Sequence, residues 1–200
     1  MRRSWNQRFS TLGVRAAPSL RERLRAQRLR RDGVEIAPSA VIGRAVSVEL
    51  SPGARLRISE QALIGDGTRL VVRAGLVEIG ERASLGENCA IVAHAGVSIA
   101  TRAALGNEVA ILDFDHRFTD PELPIRLQGL ISEPVSIGEG AILGPRATVV
   151  RGARVGAGAR VGAFAVVTGE IAPGAIVEGV PARTPGTPPQ ARWSRAEGRR

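Results

Sequence analysis

Through the middle of the chain a branched aliphatic residue recurs at every sixth position. The beat opens at Ile36 and Ile42 and resumes at Ile58, Ile64 and Leu70. It is clear at Ile79, Leu85 and Ile91, then continues two residues out of phase at Ile99, Leu105 and Ile111. After an interruption it runs unbroken through Ile137, Leu143, Val149, Val155, Val161 and Val167. Glycine follows the aliphatic at Gly43, Gly65, Gly80, Gly86, Gly106, Gly138, Gly144, Gly156 and Gly162, and a small residue, mostly alanine, falls a few places on. This spacing fits neither the period of a helix nor the alternation of a half-buried strand. It predicts a triangular solenoid in which each unit supplies a short strand and a corner, three units close a coil, and the aliphatic side chains stack up the inside. Parallel pairing between coils then satisfies the backbone, and glycine or alanine is needed where the chain turns.

The interruption spans Ile111 to Pro134, and residues 112–134 are expected as a protruding loop. It gathers acidic and aromatic side chains around His116, one of two histidines in the protein. Long excursions from a regular scaffold tend to be functional. Upstream, the run from Ser19 to Arg31 predicts a helix with Ser19 as its cap, Glu22 completing a capping box, and Leu20, Leu24 and Leu29 forming a thin apolar stripe. The expected role is to cover the end of the solenoid. Residues 1–35 are thus a basic segment with a short helix, 36–183 the repeat domain, and 184–200 a basic, proline-rich tail expected to be mobile, as are residues 1–18.

Composition sharpens this. Aromatics are 3% and tyrosine is absent, while glycine reaches 24 residues, so the core must be narrow and aliphatic. The formal net charge is +9, with every basic residue an arginine, crowded at the two ends. Aromatic platforms do not accompany those runs, so nucleic acid is not an expected partner; membrane contact is not expected either, although the basic termini would permit it. The single cysteine, Cys89, excludes an internal disulfide and is expected as an interior small residue. No apolar run approaches the ~20 residues of a membrane span, and the N-terminus lacks a signal-like apolar stretch, so a cytoplasmic protein is expected.

The run VSIGEGAILGPRATVVRGARVGAGARVGAFAVVTGEIAPGAIVEGVPAR (135–183), with the histidine-bearing loop ahead of it, resembles the hexapeptide-repeat acyltransferases of left-handed parallel β-helix fold. Within them it is most similar to the maltose and galactoside O-acetyltransferases and related polysaccharide enzymes. The resemblance implies an all-β solenoid, a homotrimer, and a cleft between subunits where acetyl-CoA meets a sugar or glycan acceptor. It implies His116, in DFDHRF, as general base. It places Gly144, Ala163, Thr168 and Arg183 along the CoA arm, and His94 at the acceptor side. Three positions depart from the family pattern: Ile142 replaces a tryptophan, Gly169 a lysine, and Gly86 a sugar-contacting asparagine, with Asn88 nearby.

Acetyl transfer from a thioester to a hydroxyl needs a base, donors for the oxyanion and a means of holding two substrates together. An imidazole suits the first requirement. Asp113 and Asp115 are candidates to bind acceptor hydroxyls, and either of them or Glu133 can orient the ring. No metal is expected, because Asp113, Asp115 and His116 crowd one loop and two histidines are too few for the metal enzymes of this fold. The competing readings are N-acylation of an amino sugar or small amine, and a non-enzymatic or metal-binding hexapeptide-repeat trimer.

Overall fold

The computed structural model describes residues 18–185; the tails expected as mobile fall largely outside that range. The repeats wind into a left-handed parallel β-helix of three flat faces, with six complete coils and a seventh of two strands. The first face runs from Glu35–Ile36 to Glu170–Ile171, the second from Val41–Ile42 to Ile176–Val177, and the third from Ser47–Leu50 to Val166–Val167. Each aliphatic of the beat lies directly over its counterpart in the coil below. Ile36, Ile58, Ile79, Ile99, Ile137, Val155 and Ile171 form one such column. Ile42 to Val177 form the second and Val48 to Val167 the third. The columns extend beyond the expected beat at Val48, Ile171 and Val177.

The phase shifts have a packing cause. In the early coils the strands flanking the third corner are four residues long, and they turn extra side chains inward: Val72 and Val77, then Ala93 and Val97, all buried. The coil is wider there, so the count between aliphatics grows. Alanines stack at the first corner through Ala40, Ala62, Ala83, Ala103, Ala141, Ala159 and Ala175. At the second corner, buried Thr68 and Cys89 occupy equivalent places and donate to the carbonyls of Gly86 and Gly106, at 3.1 and 3.3 Å. Cys89 is therefore interior, as expected, and burial pushes its thiol up.

Along the faces, the N–H of one coil donates to the carbonyl of the next, as in Ala37 to Ile58, Gly43 to Ile64, Ala100 to Ile137 and Gly162 to Val177. Other N–H groups donate the opposite way, as in Gly67 to Arg44 and Asn88 to Asp66, so each coil needs a neighbour on both sides and the first has no coil beneath it. The helix Leu20–Arg31 covers this end, opened by the capping box between Ser19 and Glu22. Arg25 donates to the Ile42 carbonyl at 3.1 Å, and Arg30 to those of Ile36 and Ala37 at 2.9 and 3.1 Å. Its buried contact is Ala26, with Leu29 packed alongside. The expected stripe is corrected in one respect: Leu20 and Leu24 face solvent, 74% and 56% exposed. A helix lying this close to a flat coil end, reaching carbonyls with arginines, leaves room beneath it for alanine rather than for a row of leucines. Among the described residues, no helix is long and apolar enough to cross a membrane.

Coils meet closely at the glycines that follow the aliphatics. A Cβ on Gly65 would lie 2.3 Å from the Gly86 carbonyl oxygen, which belongs to backbone and cannot swing aside. Gly65→Ala is accordingly expected to destabilise the fold by about 2 kcal/mol or more, read as a lower thermal unfolding midpoint. An unchanged midpoint would mean that the coils are not held at this spacing.

Candidate active site

The excursion leaves the stack after Ala110–Leu112 and returns at Val135–Ile137, both ends at the third corner. It is not an irregular loop. Phe114–His116 pairs antiparallel with Leu130–Ser132, placing His116 opposite Leu130, and a single 3-10 turn at Ile125–Leu127 lies near the tip. The arm's remaining hydrogen bonds are local: Gln128 donates to the carbonyls of Asp120 and Leu123 at 2.7 and 2.8 Å.

Asp113 fixes the root. It follows Leu112 in a register that puts it above Ala93 and Val72, so its side chain points into the prism and is wholly buried. One coil lower, the corner N–H of Arg73 donates to the Ala93 carbonyl above it. The equivalent N–H of His94 would seek the Asp113 carbonyl, which instead accepts from Glu133 at 2.9 Å as the arm returns. The Asp113 carboxylate takes over, accepting from the N–H groups of His94, Ala95 and Gly96 at 2.7, 2.8 and 2.6 Å. Such a carboxylate has little capacity left for an acceptor hydroxyl. Asp113, expected at the acceptor, anchors the arm.

His116 stands exposed on the outgoing strand, and its imidazole makes no hydrogen bond or ion pair within the described chain. Its own N–H donates to the Asp115 carboxylate at 2.7 Å, leaving the second Asp115 oxygen at the surface. His94, half-buried on the corner below, stacks against Phe114 with ring centroids 4.4 Å apart. Glu133 pairs with Arg151 at 2.5 Å rather than with either histidine, and its carbonyl accepts from Gly152. The expected orienting role of Glu133 is therefore not seen in this chain. One edge of the prism thus gathers His94, Phe114, Asp115, His116, Glu133 and Arg151, while Phe114 and Arg151 escaped the sequence reading. Arg151 lay in a run of the repeat indistinguishable from its neighbours. Phe114 was visible only as one aromatic among the acidic residues.

The residues expected along the CoA arm fall in two places. Thr168 continues the same edge two corners beyond the arm, exposed at the end of Val166–Val167. Arg183 lies instead at the second corner, at the base of a short hairpin in which it pairs with Glu178 above Gly162, with Ala182 donating to Val166 at 2.7 Å and Val166 to Gly179 at 3.0 Å. The Arg183 guanidinium has no partner among the described residues, and the Thr168 hydroxyl none either, so both are available to an anionic, hydrogen-bonding ligand. Gly144 and Ala163 stack at the second corner, on the far edge of the third face. A Cβ on Gly144 would meet the Ala163 nitrogen at 2.5 Å, so this ridge is kept thin. The exposed ring of Phe164 borders it, with the Arg146 guanidinium 5.4 Å from its centroid.

One of the family departures has a visible reason. A Cβ on Gly86 would lie 2.5 Å from the Asn107 carboxamide oxygen and 2.6 Å from the Gly106 carbonyl carbon, so no asparagine fits there. Gly169 has open space around it, so the missing lysine is not a packing requirement. Ile142 lies half-buried on the outer side of the second face.

Comparison with known proteins agrees with this architecture. Residues 134–169 match the bacterial transferase hexapeptide (six repeats) family, and residues 76–112 match the hexapeptide repeat of succinyl-transferase. The chain is 32% identical over 143 residues to the probable acetyltransferase Rv3034c of Mycobacterium tuberculosis, covering 71% of this chain and 48% of that protein. It is 43% identical over 111 residues to nodulation protein L of Rhizobium meliloti, covering 55% of this chain and 59% of that protein. It thus spans about half the length of the curated relatives it matches. Among solved structures it resembles AntD, an N-acyltransferase from Bacillus cereus in complex with dTDP and 3-hydroxybutyryl-CoA, with a TM-score of 0.60 at 15% identity over 80% of this chain and 86% of that one. In its repeats and its fold, the chain is similar to the hexapeptide-repeat acyltransferases.

Proposed function

We propose that this protein is a CoA-dependent O-acetyltransferase that moves an acetyl group from acetyl-CoA to a hydroxyl of a sugar or glycan precursor, with His116 as general base. The observation that carries this reading is the imidazole itself: exposed, without an intrachain partner, and held on an arm whose root is locked by three backbone hydrogen bonds. Acetyl-CoA supplies the thioester. The His116 imidazole takes the acceptor's hydroxyl proton as the oxygen adds to the thioester carbonyl, and gives that proton to the departing thiolate, so the residue ends as it began. No covalent enzyme intermediate is needed. Asp115 and His94 stand beside His116 as acceptor contacts, and Thr168 and Arg183 suit the polar part of the CoA arm.

A second feature bears on assembly. His116 belongs to the third corner, and Gly144 and Ala163 to the second, so a full face of one prism separates them. If all serve one reaction, two subunits must each bring one edge. A closed ring of three copies gives every arm such a neighbour. We therefore read the active form as a homotrimer with shared sites. The likeness to AntD favours N-acylation of an amino sugar as the alternative. A panel of sugars and amino sugars, with thiol release as the readout, distinguishes the two.

Three outcomes are expected. His116→Ala lowers acetyl-CoA turnover by ~100- to 10,000-fold with assembly intact; a variant as active as the parent would remove the base assignment. Asp113→Asn places an amide NH2 against backbone N–H groups, and is expected to lower kcat by about tenfold or more through loss of arm position while KM for acetyl-CoA holds. A fall confined to KM would contradict that role. Finally, His116→Ala and Ala163→Trp chains, each inactive alone, are expected to regain about a quarter of parental activity when co-assembled one to one, since sites then form with both edges intact. Mixed assemblies without any recovery would show that the edges do not meet across subunits.

A further inference from the structure

The helix that closes the N-terminal end of the prism has a second face. Its inner side is spent on the coil through Ala26, Leu29, Arg25 and Arg30. Its outer side carries Leu20 and Leu24, four residues apart and 74% and 56% exposed, among Arg21, Arg28 and Arg31, whose guanidinium groups have no hydrogen bond or ion pair among the described residues. The arginines along the coils differ: Arg44, Arg57, Arg69, Arg82, Arg102 and Arg146 each pair with an acidic side chain. The charge is distributed accordingly. Residues 1–31 hold ten arginines and a single acidic residue, Glu22, whereas residues 34–185 hold fourteen arginines and sixteen acidic residues. The excess positive charge at the N-terminal end is therefore confined to the helix and the residues that lead into it, among which are Trp5 and Phe9.

We propose that this end of the prism docks on the surface of an anionic lipid bilayer. Arginines without partners meet the negative headgroups, and the two leucines on the same face enter the boundary between headgroups and acyl chains. A soluble polyanion would be served by the charges alone and gives the exposed leucines nothing to do. A bilayer uses both. The geometry is also permissive for the candidate site. The arm emerges after the fourth coil, about 15–20 Å above the helix at the spacing of paired strands, so a flat surface lying against the end leaves the arm clear. The surface is independent of the acetyl-transfer reading, since none of its residues belongs to the site.

The test is co-sedimentation of the full-length protein with vesicles of phosphatidylcholine, with and without phosphatidylglycerol. Binding is expected with the anionic vesicles alone and is expected to weaken as salt screens the headgroups. Replacing the three outward arginines together (Arg21→Glu, Arg28→Glu, Arg31→Glu) is expected to lower binding by about tenfold or more. The pair Leu20→Ser and Leu24→Ser, which leaves every charge in place, is expected to lower it by about threefold. Circular dichroism and thiol-release activity without vesicles are expected to stay at parental levels for both variants. The proposal is overturned if anionic vesicles bind no better than neutral ones. Full binding by the arginine variant would also overturn it, because the residues before the helix would then be responsible. So would parental binding by the leucine variant with complete displacement by heparin, which would make the surface a polyanion site.

Discussion

One constraint governs this structure: the backbone groups of every coil are paired by the coils on either side of it, with N–H groups donating both upward, as in Ala37 to Ile58, and downward, as in Gly67 to Arg44. A stack built that way leaves each terminal coil with edge N–H and C=O groups that no further coil pairs, and buried or half-buried backbone groups of either kind are costly to leave unpaired. The chain meets the two ends with different chemistry. Arginine, a donor with a planar fork and a long stem, suits carbonyls. Arg25 and Arg30 do this from a helix that contributes little apolar contact of its own. At the other end the hairpin from Glu178 to Arg183 folds back to offer a carbonyl, that of Gly179, to the N–H of Val166.

The same constraint explains how an arm can leave a solenoid without unravelling it. Where the chain departs, the coil below loses the acceptor it would have had. A side-chain carboxylate placed one residue past the last strand restores it threefold, and the Glu133 backbone closes the gap from the returning side. The interior column that holds Val72 and Ala93 thus admits one charged group, Asp113, at no cost in unsatisfied atoms; among the described residues no buried side-chain nitrogen or oxygen lacks a partner. The imidazole of His116 is therefore carried on a hairpin with a fixed base.

Most of the scaffold was legible in the sequence, because its rule is local and repeats. One aliphatic per unit, a glycine after it and a small residue at the corner are each forced by the width of the prism. The readings that needed correction lie where the repeat meets something else. Leu20 and Leu24 looked like a packing stripe, since helical spacing shows which residues share a face but not which face is turned inward. Asp113 looked like a ligand-facing acid, because beside His116 its place in the interior column is hidden unless the strand is extended past Leu112. Glu133 and Arg151 pair across a gap in sequence that no spacing rule covers. The positions implied at the CoA arm fell on two edges, and that separation becomes visible only once the coil is counted round.

The arm enters and leaves the prism at a single corner, and the ladders between the fourth and fifth coils, Ala110–Leu112 onto Thr148–Val150 and Gly96–Ile99 onto Val135–Ile137, close as though it were absent. The stack on either side is therefore indifferent to what lies between Asp113 and Glu133. Insertions, deletions or wholesale exchange of that segment leave every column in register, so the arm can be remade while the framework that presents it stays unaltered.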